Sequence, residues 1–325
     1  MVGSHLADFI IKNTDWIIYG MIRWRSPLTN LSYVISKANK NKRINFVYAD
    51  LRDSIAVNNA VKNSKPDIIF HLAAQSYPKT SFESPLDTYD TNIQGTTRLL
   101  EAVRNFSCNA IIHICSSSEV YGRVPKEKLP INESCSFHPA SPYAISKAGT
   151  DLVGRFYNEA YGLKTLITRM FTHTGPRRGD VFAESSFAKQ IAMAEYNLIP
   201  PNIYVGNLNS LRTIADVRDA VRAYYLLVTK NLKSGESYNI GGNYSCTVGE
   251  ILDYLMSIST IKNLRYTVDK KRIRPIDADL QIPDTSKFYN HTGWKPQISF
   301  EKTMLDLLNF WREQIKDNNN IYINR

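Results

Sequence analysis

Two side chains with complementary chemistry lie four residues apart in the segment SPYAISKAG: Tyr143 and Lys147. Side chains four apart on a helix project from one face, about one turn from each other. A lysine ammonium beside a phenol favours the phenolate, so we expect the pKa of Tyr143 to lie below its reference value of about 10. Such a tyrosine can act as a general base near neutral pH. Because this pairing also arises by chance on solvated helix faces, it indicates catalysis only together with further residues.

A second polar cluster follows the apolar segment AIIHIC, which ends at Cys115. The next residues read SSSEVYG and include Ser117 and Glu119. A hydroxyl at the carboxyl end of a strand can hydrogen-bond a substrate oxygen, and a carboxylate can accept a proton. Serines in such segments also close turns, and a glutamate there can cap a helix or face solvent. The cluster therefore has both a catalytic and a structural interpretation.

The elements that would position these residues alternate along the first half of the chain. Short β-branched runs separate stretches with apolar residues at helical spacing, which is typical of a parallel sheet with helices on both faces. We predict strands over residues 16–23, 45–49, 67–72, 110–115 and 165–170, and helices over 4–12, 54–62, 91–105 and 146–161. After residue 175 the alternation weakens, and helices over 248–258 and 300–314 are the clearest elements. The pattern predicts an α/β fold whose smaller C-terminal lobe closes over a ligand at the carboxyl ends of the strands.

Composition limits the classes of protein to which the chain can belong. It has 325 residues, of which 43% are hydrophobic and 22% charged, enough for a sizeable core. No apolar run reaches the roughly 18 residues of a membrane span and no secretory signal pattern opens the chain, so we expect a cytoplasmic protein. The net charge of +10 is spread along the chain, which favours an anionic small ligand over nucleic acid. Irregular spacing indicates neither a disulfide framework nor a metal site for the cysteines, Cys108, Cys115, Cys135 and Cys246.

The order of SSSEVYG followed by YAISK resembles the extended short-chain dehydrogenase/reductase family, and the resemblance covers essentially the whole chain. It implies a Rossmann-type, doubly wound parallel sheet over residues 1–175 that binds a nicotinamide cofactor. It also implies a lobe over residues 176–325 that mainly binds a nucleotide-activated sugar. By motif position, Ser117, Tyr143 and Lys147 correspond to the catalytic residues of the family. Members of this family commonly form homo-oligomers, so we expect a dimer or a tetramer.

Several short segments resemble the cofactor-binding motifs of that family. The matching positions are Gly3, Asp50, Leu51, Leu72, Ala73, Ala74 and, opening the following helix, Asn92. Gly3 resembles the last glycine of the turn that cradles the cofactor pyrophosphate, whose strand and other two glycines would precede Met1. We expect that a misassigned start codon explains their absence. The alternative is a chain that lacks part of its cofactor site.

Two arginines, Arg23 and Arg25, in the turn GMIRWRS predict the choice of cofactor. An acidic residue at this position would bind the ribose hydroxyl of NAD, whereas an arginine can neutralise the additional phosphate of NADP. The turn contains no Asp or Glu. We therefore expect NADP, with solvated loop cations as the alternative interpretation.

Two sister groups within the family share segments with this chain. The segments SFESP, PRRG and RWRS resemble GDP-mannose 4,6-dehydratases, whereas HTGP, FAKQ and DVRD look closer to GDP-4-keto-6-deoxymannose reductases. Dehydration oxidises sugar carbon 4, removes the proton at carbon 5 and eliminates water from carbon 6, and Glu119 could supply the base. We expect a GDP-sugar 4,6-dehydratase, with the reductase or another nucleotide-sugar epimerase/dehydratase as the alternative.

The resemblance also assigns substrate-binding positions, which are Gln75, Ser76, Thr172, Lys189, Arg212 and Arg274. Arg212 and Arg274 match arginines that contact the nucleotide diphosphate, and their donor forks suit phosphate oxygens. Either could instead be a surface ion-pair partner. Thr172 stands where the relatives usually have asparagine, which leaves the exact sugar open.

Overall fold

The computed structural model describes residues 1–32, 34–36, 43–107, 109–273 and 278–317. Its strands are, in chain order, β1 (Ile18–Ile22), β2 (Ile44–Tyr48), β3 (Ile68–His71), β4 (Ile111–Cys115), β5 (Lys164–Met170), β6 (His173–Thr174), β7 (Asn202–Val205), β8 (Leu211–Asp216), β9 (Ser237–Ile240), β10 (Tyr244–Thr247), β11 (Arg265–Val268) and β12 (Leu280–Gln281). Its helices are α1 (Val2–Asn13), α2 (Ser54–Ser64), α3 (Pro78–Glu83), α4 (Pro85–Tyr89), α5 (Gly95–Phe106), α6 (Pro142–Tyr161), α7 (Ala183–Glu195), α8 (Val217–Thr229), α9 (Val248–Ser257), α10 (Ser286–Thr292) and α11 (Phe300–Asp317).

Parallel strands form the sheets beneath the polar clusters. One sheet has the order β3-β4-β5-β9, and a separate parallel pair joins β1 to β2. Within the described residues, no strand is hydrogen-bonded between β1 and β3. Helix α1 packs against both sheets, because Leu6 and Ile10 share an apolar cluster with Ile18 of β1 and Phe70 of β3. The predicted α/β fold with a parallel sheet is confirmed.

Helix α6 carries Tyr143 and Lys147, and local sequence fixes where it begins. The Ser141 hydroxyl accepts a hydrogen bond from the backbone N–H of Ala144 at 3.0 Å, and Pro142 occupies the first helical position. The helix therefore begins at Pro142 and not at residue 146 as predicted. Further along, Gly154 permits a close approach to β4, since a Cβ there would lie 2.6 Å from Ile114 Cδ1.

A buried ion pair attaches α6 to the next strand. The Asp151 carboxylate accepts hydrogen bonds from Arg169 of β5 at 2.8 and 3.1 Å, and the two side chains are 0% and 3% exposed. Arg169 also donates to the Tyr121 hydroxyl at 2.9 Å and to the Glu133 carbonyl at 3.0 Å. Removing one partner of such a pair leaves an uncompensated buried charge. The pair therefore holds α6 against the sheet.

The helix predicted over residues 91–105 begins differently in the structure. Residues 90–94 form a π-helical turn, and the regular helix α5 starts at Gly95. In this wider turn, the Asn92 amide donates to the Gln75 carbonyl at 2.9 Å and to the Ser146 hydroxyl at 2.8 Å. Such turns place a side chain in tertiary contact at the expense of helix regularity. The prediction of a regular helix was wrong for residues 91–94.

The C-terminal lobe is built around a second core. Strands β10, β8 and β12 form a mixed sheet with β6 alongside β8, and β11 pairs with β7. Helices α7, α9 and α11 enclose an apolar cluster that includes Phe187, Leu252 and Trp311. Strand β9 and helix α8 instead join the first sheet, where Tyr224 of α8 packs with Leu166 of β5. None of the described helices is both long and apolar enough to cross a membrane.

Candidate active site

The candidate active site lies where the carboxyl end of β4 meets the first turn of α6. Three predicted catalytic residues are buried there: Ser117, Tyr143 and Lys147 are 8%, 9% and 5% exposed. The Ser116 hydroxyl donates to the Lys147 carbonyl at 3.2 Å, which attaches the strand end to the helix. The Ser117 hydroxyl faces the phenol of Tyr143 and lowers its pKa. The structure thus brings the predicted residues together.

Tyr143 has a raised pKa in this arrangement. Burial is the largest cause, and the nearby Cys115 thiol and Glu119 carboxylate raise the pKa of the phenol further. The Ser117 hydroxyl and the Arg178 guanidinium lower this pKa, but by less than burial raises it. Each favours the charged phenolate, by hydrogen bonding or by opposite charge, whereas loss of water disfavours it.

Lys147 does not act on the phenol as the sequence predicted. Its ammonium donates to the Cys115 carbonyl at 2.7 Å, and burial lowers the pKa of Lys147. The expectation that Lys147 brings the pKa of Tyr143 below its usual value is therefore wrong, because burial raises this pKa. The main groups that lower this pKa are Ser117 and Arg178, and burial outweighs both.

Glu119 lies beside the phenol, in the 3-10 turn Ser118–Tyr121. Its backbone N–H donates to the Ser117 hydroxyl at 3.2 Å, and its side chain is half-buried. Because the Glu119 carboxylate raises the pKa of Tyr143, the two groups interact electrostatically. A Glu119 that only faces solvent does not fit this placement. A carboxylate and a phenol are thus available at one place for two separate proton transfers.

Arg178 is a site residue for which the sequence predicted no role. The centre of its guanidinium group lies 3.4 Å from the centre of the Phe182 ring, and Nε donates to Glu184 Oε1 at 3.2 Å. The side chain is 16% exposed, and its cation lowers the pKa of Tyr143. The PRRG segment was the available signal, but the contact with Tyr143 depends on how the lobe folds back.

Hydrogen bonds within the loop after β3 hold the predicted residue Gln75. Its backbone N–H donates to Asn92 Oδ1 at 2.8 Å, and its side-chain amide donates to the Tyr77 carbonyl at 3.1 Å and Thr88 Oγ1 at 3.0 Å. Gln75 Oε1 in turn accepts from the Tyr77 backbone N–H at 2.6 Å. The Gln75 side chain is therefore engaged within the protein, whereas Ser76 beside it is exposed.

The start of α1 and the end of β3 carry predicted cofactor residues. Helix α1 has no side-chain cap, and a Cβ added at Gly3 would have no heavy atom within 4 Å. Free N–H groups at the start of a helix bind anions, so this open position fits a phosphate group. After β3, Ala73 is exposed, and Leu72 and Ala74 are half-buried. These residues fit a dinucleotide laid across the edge of the sheet.

Arg23 and Arg25 lie in the turn after β1. The Ser26 backbone N–H donates to the Arg23 carbonyl at 3.0 Å, and Arg25 has a left-handed φ of 64°. The Arg23 cation is one of the groups that lower the pKa of Asp50. The two arginines therefore lie at the carboxyl ends of β1 and β2, near the position expected for the adenine ribose.

Asp50 and Leu51, which follow β2, have different surroundings. Arg52 donates to the Asp50 carboxylate at 3.0 and 2.9 Å, and this lowers the pKa of Asp50 to about 2. Leu51 is buried against α5, where a Cβ added at Gly95 would lie 2.8 Å from Leu51 Cβ. The Leu51 side chain therefore faces the core, and only Asp50 of this pair presents a polar side chain.

Two predicted substrate-binding cations lie in the lobe with local partners. Lys189 Nζ donates to Asp180 at 2.6 Å and lies 5.4 Å from the centre of the Trp311 ring. Arg212 of β8 donates to the carbonyls of Leu211 and Ala278. Neither cation contacts the residues around Tyr143 in these hydrogen bonds. Arg274 lies outside the described residues.

The remaining predicted residues are Thr172 and the cysteines. Half-buried Thr172 precedes β6, and its carbonyl accepts from the Ala215 backbone N–H at 2.9 Å. Cys115, Cys135 and Cys246 are free thiols, and Cys108 lies outside the described residues. Among the residues that the structure describes, no group of three or more His, Cys, Asp or Glu side chains could hold a metal ion.

Comparison with known proteins adds independent findings. The family model for GDP-mannose 4,6 dehydratase matches residues 1–307. GDP-mannose 4,6 dehydratase 2 of Arabidopsis thaliana is 33% identical over 310 residues, covering 92% of this chain and 81% of that protein. GDP-6-deoxy-D-mannose reductase of Pseudomonas aeruginosa is 30% identical over 252 residues, covering 78% and 82%. The chain is thus similar to members of both sister groups.

Two solved structures are similar to this chain over nearly its whole length. RMD from Pseudomonas aeruginosa, solved in complex with NADPH, has a TM-score of 0.80 at 25% identity and covers 97% of this chain and 96% of its own. DesIV, a dTDP-glucose 4,6-dehydratase from Streptomyces venezuelae solved with NAD and TYD bound, has a TM-score of 0.81 at 26% identity and covers 97% and 95%. With the match over residues 1–307, these findings show that the chain belongs to the GDP-mannose 4,6-dehydratase family of extended short-chain dehydrogenase/reductases.

Proposed function

We propose that this chain is a GDP-sugar 4,6-dehydratase that converts GDP-mannose to GDP-4-keto-6-deoxymannose. The observation that carries the proposal is the grouping of Ser117, Glu119 and Tyr143 at one strand end, where the Ser117 hydroxyl accepts from the Glu119 backbone N–H and both residues influence the pKa of the phenol. A dehydratase needs two proton acceptors that act on neighbouring carbons, and this corner provides a phenol and a carboxylate.

A bound nicotinamide dinucleotide would supply the reversible oxidation at the sugar. The open start of α1 at Gly3 and the residues after β3 fit such a cofactor, and the similar structures were solved with NADPH or NAD. We propose that the cofactor is NADP, because the turn after β1 carries the cations of Arg23 and Arg25, which suit the additional phosphate, and Asp50 is already paired with Arg52. Replacing both arginines by Ala should weaken NADP binding by about 1 to 3 kcal/mol and leave NAD binding nearly unchanged. Equal losses for both cofactors would show that the turn is only structural.

Tyr143 and Ser117 act on the hydroxyl at sugar carbon 4. In its deprotonated form, which burial disfavours, Tyr143 accepts the hydroxyl proton, and Ser117 donates a hydrogen bond to the same sugar oxygen. Lys147 holds the strand end through its hydrogen bond to the Cys115 carbonyl. The Arg178 cation favours the phenolate, because its charge lowers the pKa of Tyr143.

Glu119 acts after carbon 4 has become a carbonyl. That carbonyl makes the proton at carbon 5 acidic, and the Glu119 carboxylate accepts it. The same proton can then leave with the hydroxyl of carbon 6 as water, which returns Glu119 to its charged form. The hydride taken from carbon 4 would return to carbon 6, and a proton equivalent to the one that Tyr143 accepted would be added at carbon 5, so that the sugar loses one water in total.

The lobe would bind the rest of the substrate. We propose that residues 1–175 mainly bind the cofactor and residues 176–325 mainly bind the nucleotide sugar, with Lys189, Arg212 and Arg274 facing phosphate. Gln75, Ser76 and Thr172 would lie near the hexose. For Lys189 and Arg212, binding requires an exchange of the present partners for phosphate oxygens.

A second candidate is the reductase of the sister group, favoured by the 30% identity to the Pseudomonas aeruginosa enzyme. Product analysis with GDP-, dTDP- and UDP-hexoses separates the two functions. We expect turnover of GDP-mannose without net consumption of NADPH. Stoichiometric NADPH oxidation with a 4-keto sugar as substrate would favour the reductase, and turnover confined to dTDP- or UDP-sugars would exclude the GDP-sugar assignment.

We also propose that the enzyme is a cytoplasmic homo-oligomer. Helix α6 has exposed apolar side chains at Ile145, Leu152 and Phe156, which supports contact with another surface. Sedimentation of the protein and of Leu152→Glu tests the assembly. A wild-type monomer would contradict it.

A further inference from the structure

The turn that precedes Arg178 contains a backbone conformation unusual for its residue. The Arg178 backbone N–H donates to the Gly175 carbonyl at 3.2 Å, which closes a four-residue turn with Pro176 in second place. The third residue, Arg177, has a φ of 67°. A turn with proline second and positive φ third usually has glycine or asparagine at the third position. An arginine adopts this conformation only where surrounding contacts hold it.

Helix α1 supplies such contacts. The Asp8 carboxylate pairs with Arg177 Nη1 at 2.7 Å, and the two side chains are 21% and 19% exposed. His5 Nε2 lies 2.9 Å from the Pro176 carbonyl oxygen. Burial lowers the pKa of His5 to about 4, so the ring is neutral near pH 7 and donates through Nε2–H. Pro176 and Arg177 of the turn are therefore attached to two residues that are neighbours on the surface of α1.

Contacts with three residues of the lobe fix the position of Arg178 at the end of the turn. Its carbonyl accepts from the Ser185 hydroxyl at 2.7 Å, and its guanidinium lies on Phe182 and pairs with Glu184. We propose that Asp8 and Arg177 are positioning residues, whose ion pair holds the left-handed conformation of Arg177 and thereby directs Arg178 toward the Tyr143 hydroxyl. The functional consequence rests on the role proposed above for Tyr143. Through this link, α1 contributes to the chemistry as well as to the cofactor site.

Most groups around Tyr143 are independent of this turn. Ser117, Glu119 and Cys115 face the phenol from the segment at the end of β4, and Lys147 belongs to the same helix as the phenol. Only Arg178 reaches it from the turn. Tyr224 of α8 also interacts electrostatically with the phenol and lies outside the turn. We therefore expect removal of the Asp8 charge to change the pKa of Tyr143 mainly through Arg178.

The test measures the titration of residue 143 directly, without substrate. A difluorinated tyrosine at this position titrates at lower pH than tyrosine, and its fluorine resonance reports the phenolate in the full-length protein. In Asp8→Asn, we expect the midpoint to rise by about half to one pH unit, because a nearby opposite charge changes a pKa by about 1 to 3 units. Arg177→Met should give the same shift, and Arg177→Lys, which keeps the cation, should restore most of it.

A double-mutant comparison separates positioning from a general loss of stability. In the Arg178→Gln background, adding Asp8→Asn should produce no further shift. Glu195→Gln removes the carboxylate from the Arg312–Glu195 ion pair of the lobe and serves as the control: it should lower the melting temperature without moving the midpoint.

An unchanged midpoint in Asp8→Asn and Arg177→Met, while Arg178→Gln raises it, would overturn the proposal. Additive shifts in the double mutant would also overturn it. If the protein turned over no nucleotide sugar, the proposed function would fail, but the fluorine titration would still decide whether Asp8 positions Arg178.

Discussion

At the end of β4 several polar and charged groups influence the pKa of one phenol, whereas the cations of the lobe hydrogen-bond neighbouring protein groups. Ser117, Glu119 and Arg178 all change the pKa of Tyr143, so a change in one is felt by the others. Lys189 and Arg212 are held by Asp180 and by backbone carbonyls. The first arrangement is suited to moving protons, whereas in the second the proposed binding of phosphate would require these cations to exchange their present partners. Substitutions in the catalytic corner should therefore change turnover, and those in the lobe should change binding.

Tyr143→Phe should have the largest effect on turnover. The phenol that accepts the first proton is lost, so we expect kcat to fall near the upper end of the range of about 10²- to 10⁴-fold for a general base. The KM for GDP-mannose should change little, since the lobe is untouched. Tyr204→Phe, at an exposed position of β7, is the control and should retain full activity. An increase in the KM for GDP-mannose with an unchanged kcat would contradict the division between the two regions.

Glu119→Gln should lower kcat by about 10²- to 10³-fold and change which step is blocked. Oxidation at carbon 4 can still occur, but an amide cannot accept the proton at carbon 5. In a single turnover with bound NADP, this variant should show near-ultraviolet absorbance of the reduced nicotinamide without product, whereas Tyr143→Phe should show neither. Glu313→Gln on the surface of α11 is the matched control. Wild-type product release by Glu119→Gln would remove Glu119 from the mechanism.

Lowering the pH should destabilise the β3-β4-β5 sheet before it destabilises the lobe. Burial lowers the pKa of His71 of β3 and His113 of β4 to about 3, and that of His5 of α1 and His173 of β6 to about 4. His173 lies beside β8 of the lobe sheet, and residues 176–325 contain only His291. The histidines with a lowered pKa bind protons more readily in the unfolded chain, so stability is fully present above pH 6.5 and is lost as pH falls toward 4. At pH 5 we expect a loss of about 2 kcal/mol per histidine, with hydrogen exchange increasing first in the β3-β4-β5 sheet. Faster exchange in the lobe than in this sheet would contradict the assignment.

Arg212→Gln should have the smallest of these effects and should affect binding. Loss of charged hydrogen bonds to phosphate is worth about 1.5 to 3 kcal/mol, so we expect KM for GDP-mannose to rise roughly 10- to 100-fold with kcat little changed. Arg104→Gln removes an exposed arginine of α5 and should leave both constants unchanged. A fall in kcat with unchanged KM would place Arg212 in the catalytic corner.

Regular elements made part of this site predictable. Helical spacing placed Tyr143 and Lys147 on one helix face, and the resemblance to the family, by motif position, added Ser117 at the carboxyl end of the neighbouring strand. The raised pKa of Tyr143 was not predictable, because burial depends on tertiary packing. The same applies to Arg178, which reaches the phenol from a turn in the lobe.

The hydrogen bonds of Asn92 and Gln75 are a second feature that the sequence did not predict. Their amides form hydrogen bonds across the π-helical turn and the loop after β3, and neither contact follows from the spacing of apolar residues. Leu51 matched a motif, yet its side chain packs in the core against Gly95. Short motifs located the edge of the sheet correctly but did not say which side chains face a ligand.

The central claim is that one active site oxidises carbon 4, removes the proton of carbon 5 and completes the reaction at carbon 6 of the same sugar. GDP-mannose labelled with deuterium at carbon 4 tests this most directly, with the purified protein, catalytic NADP and product analysis by NMR. We predict that the deuterium appears at carbon 6 of a 4-keto-6-deoxy product, and that Glu119→Gln forms none of it. Deuterium that is absent from carbon 6 of the product, or product formed at the wild-type rate by Glu119→Gln, would contradict the account.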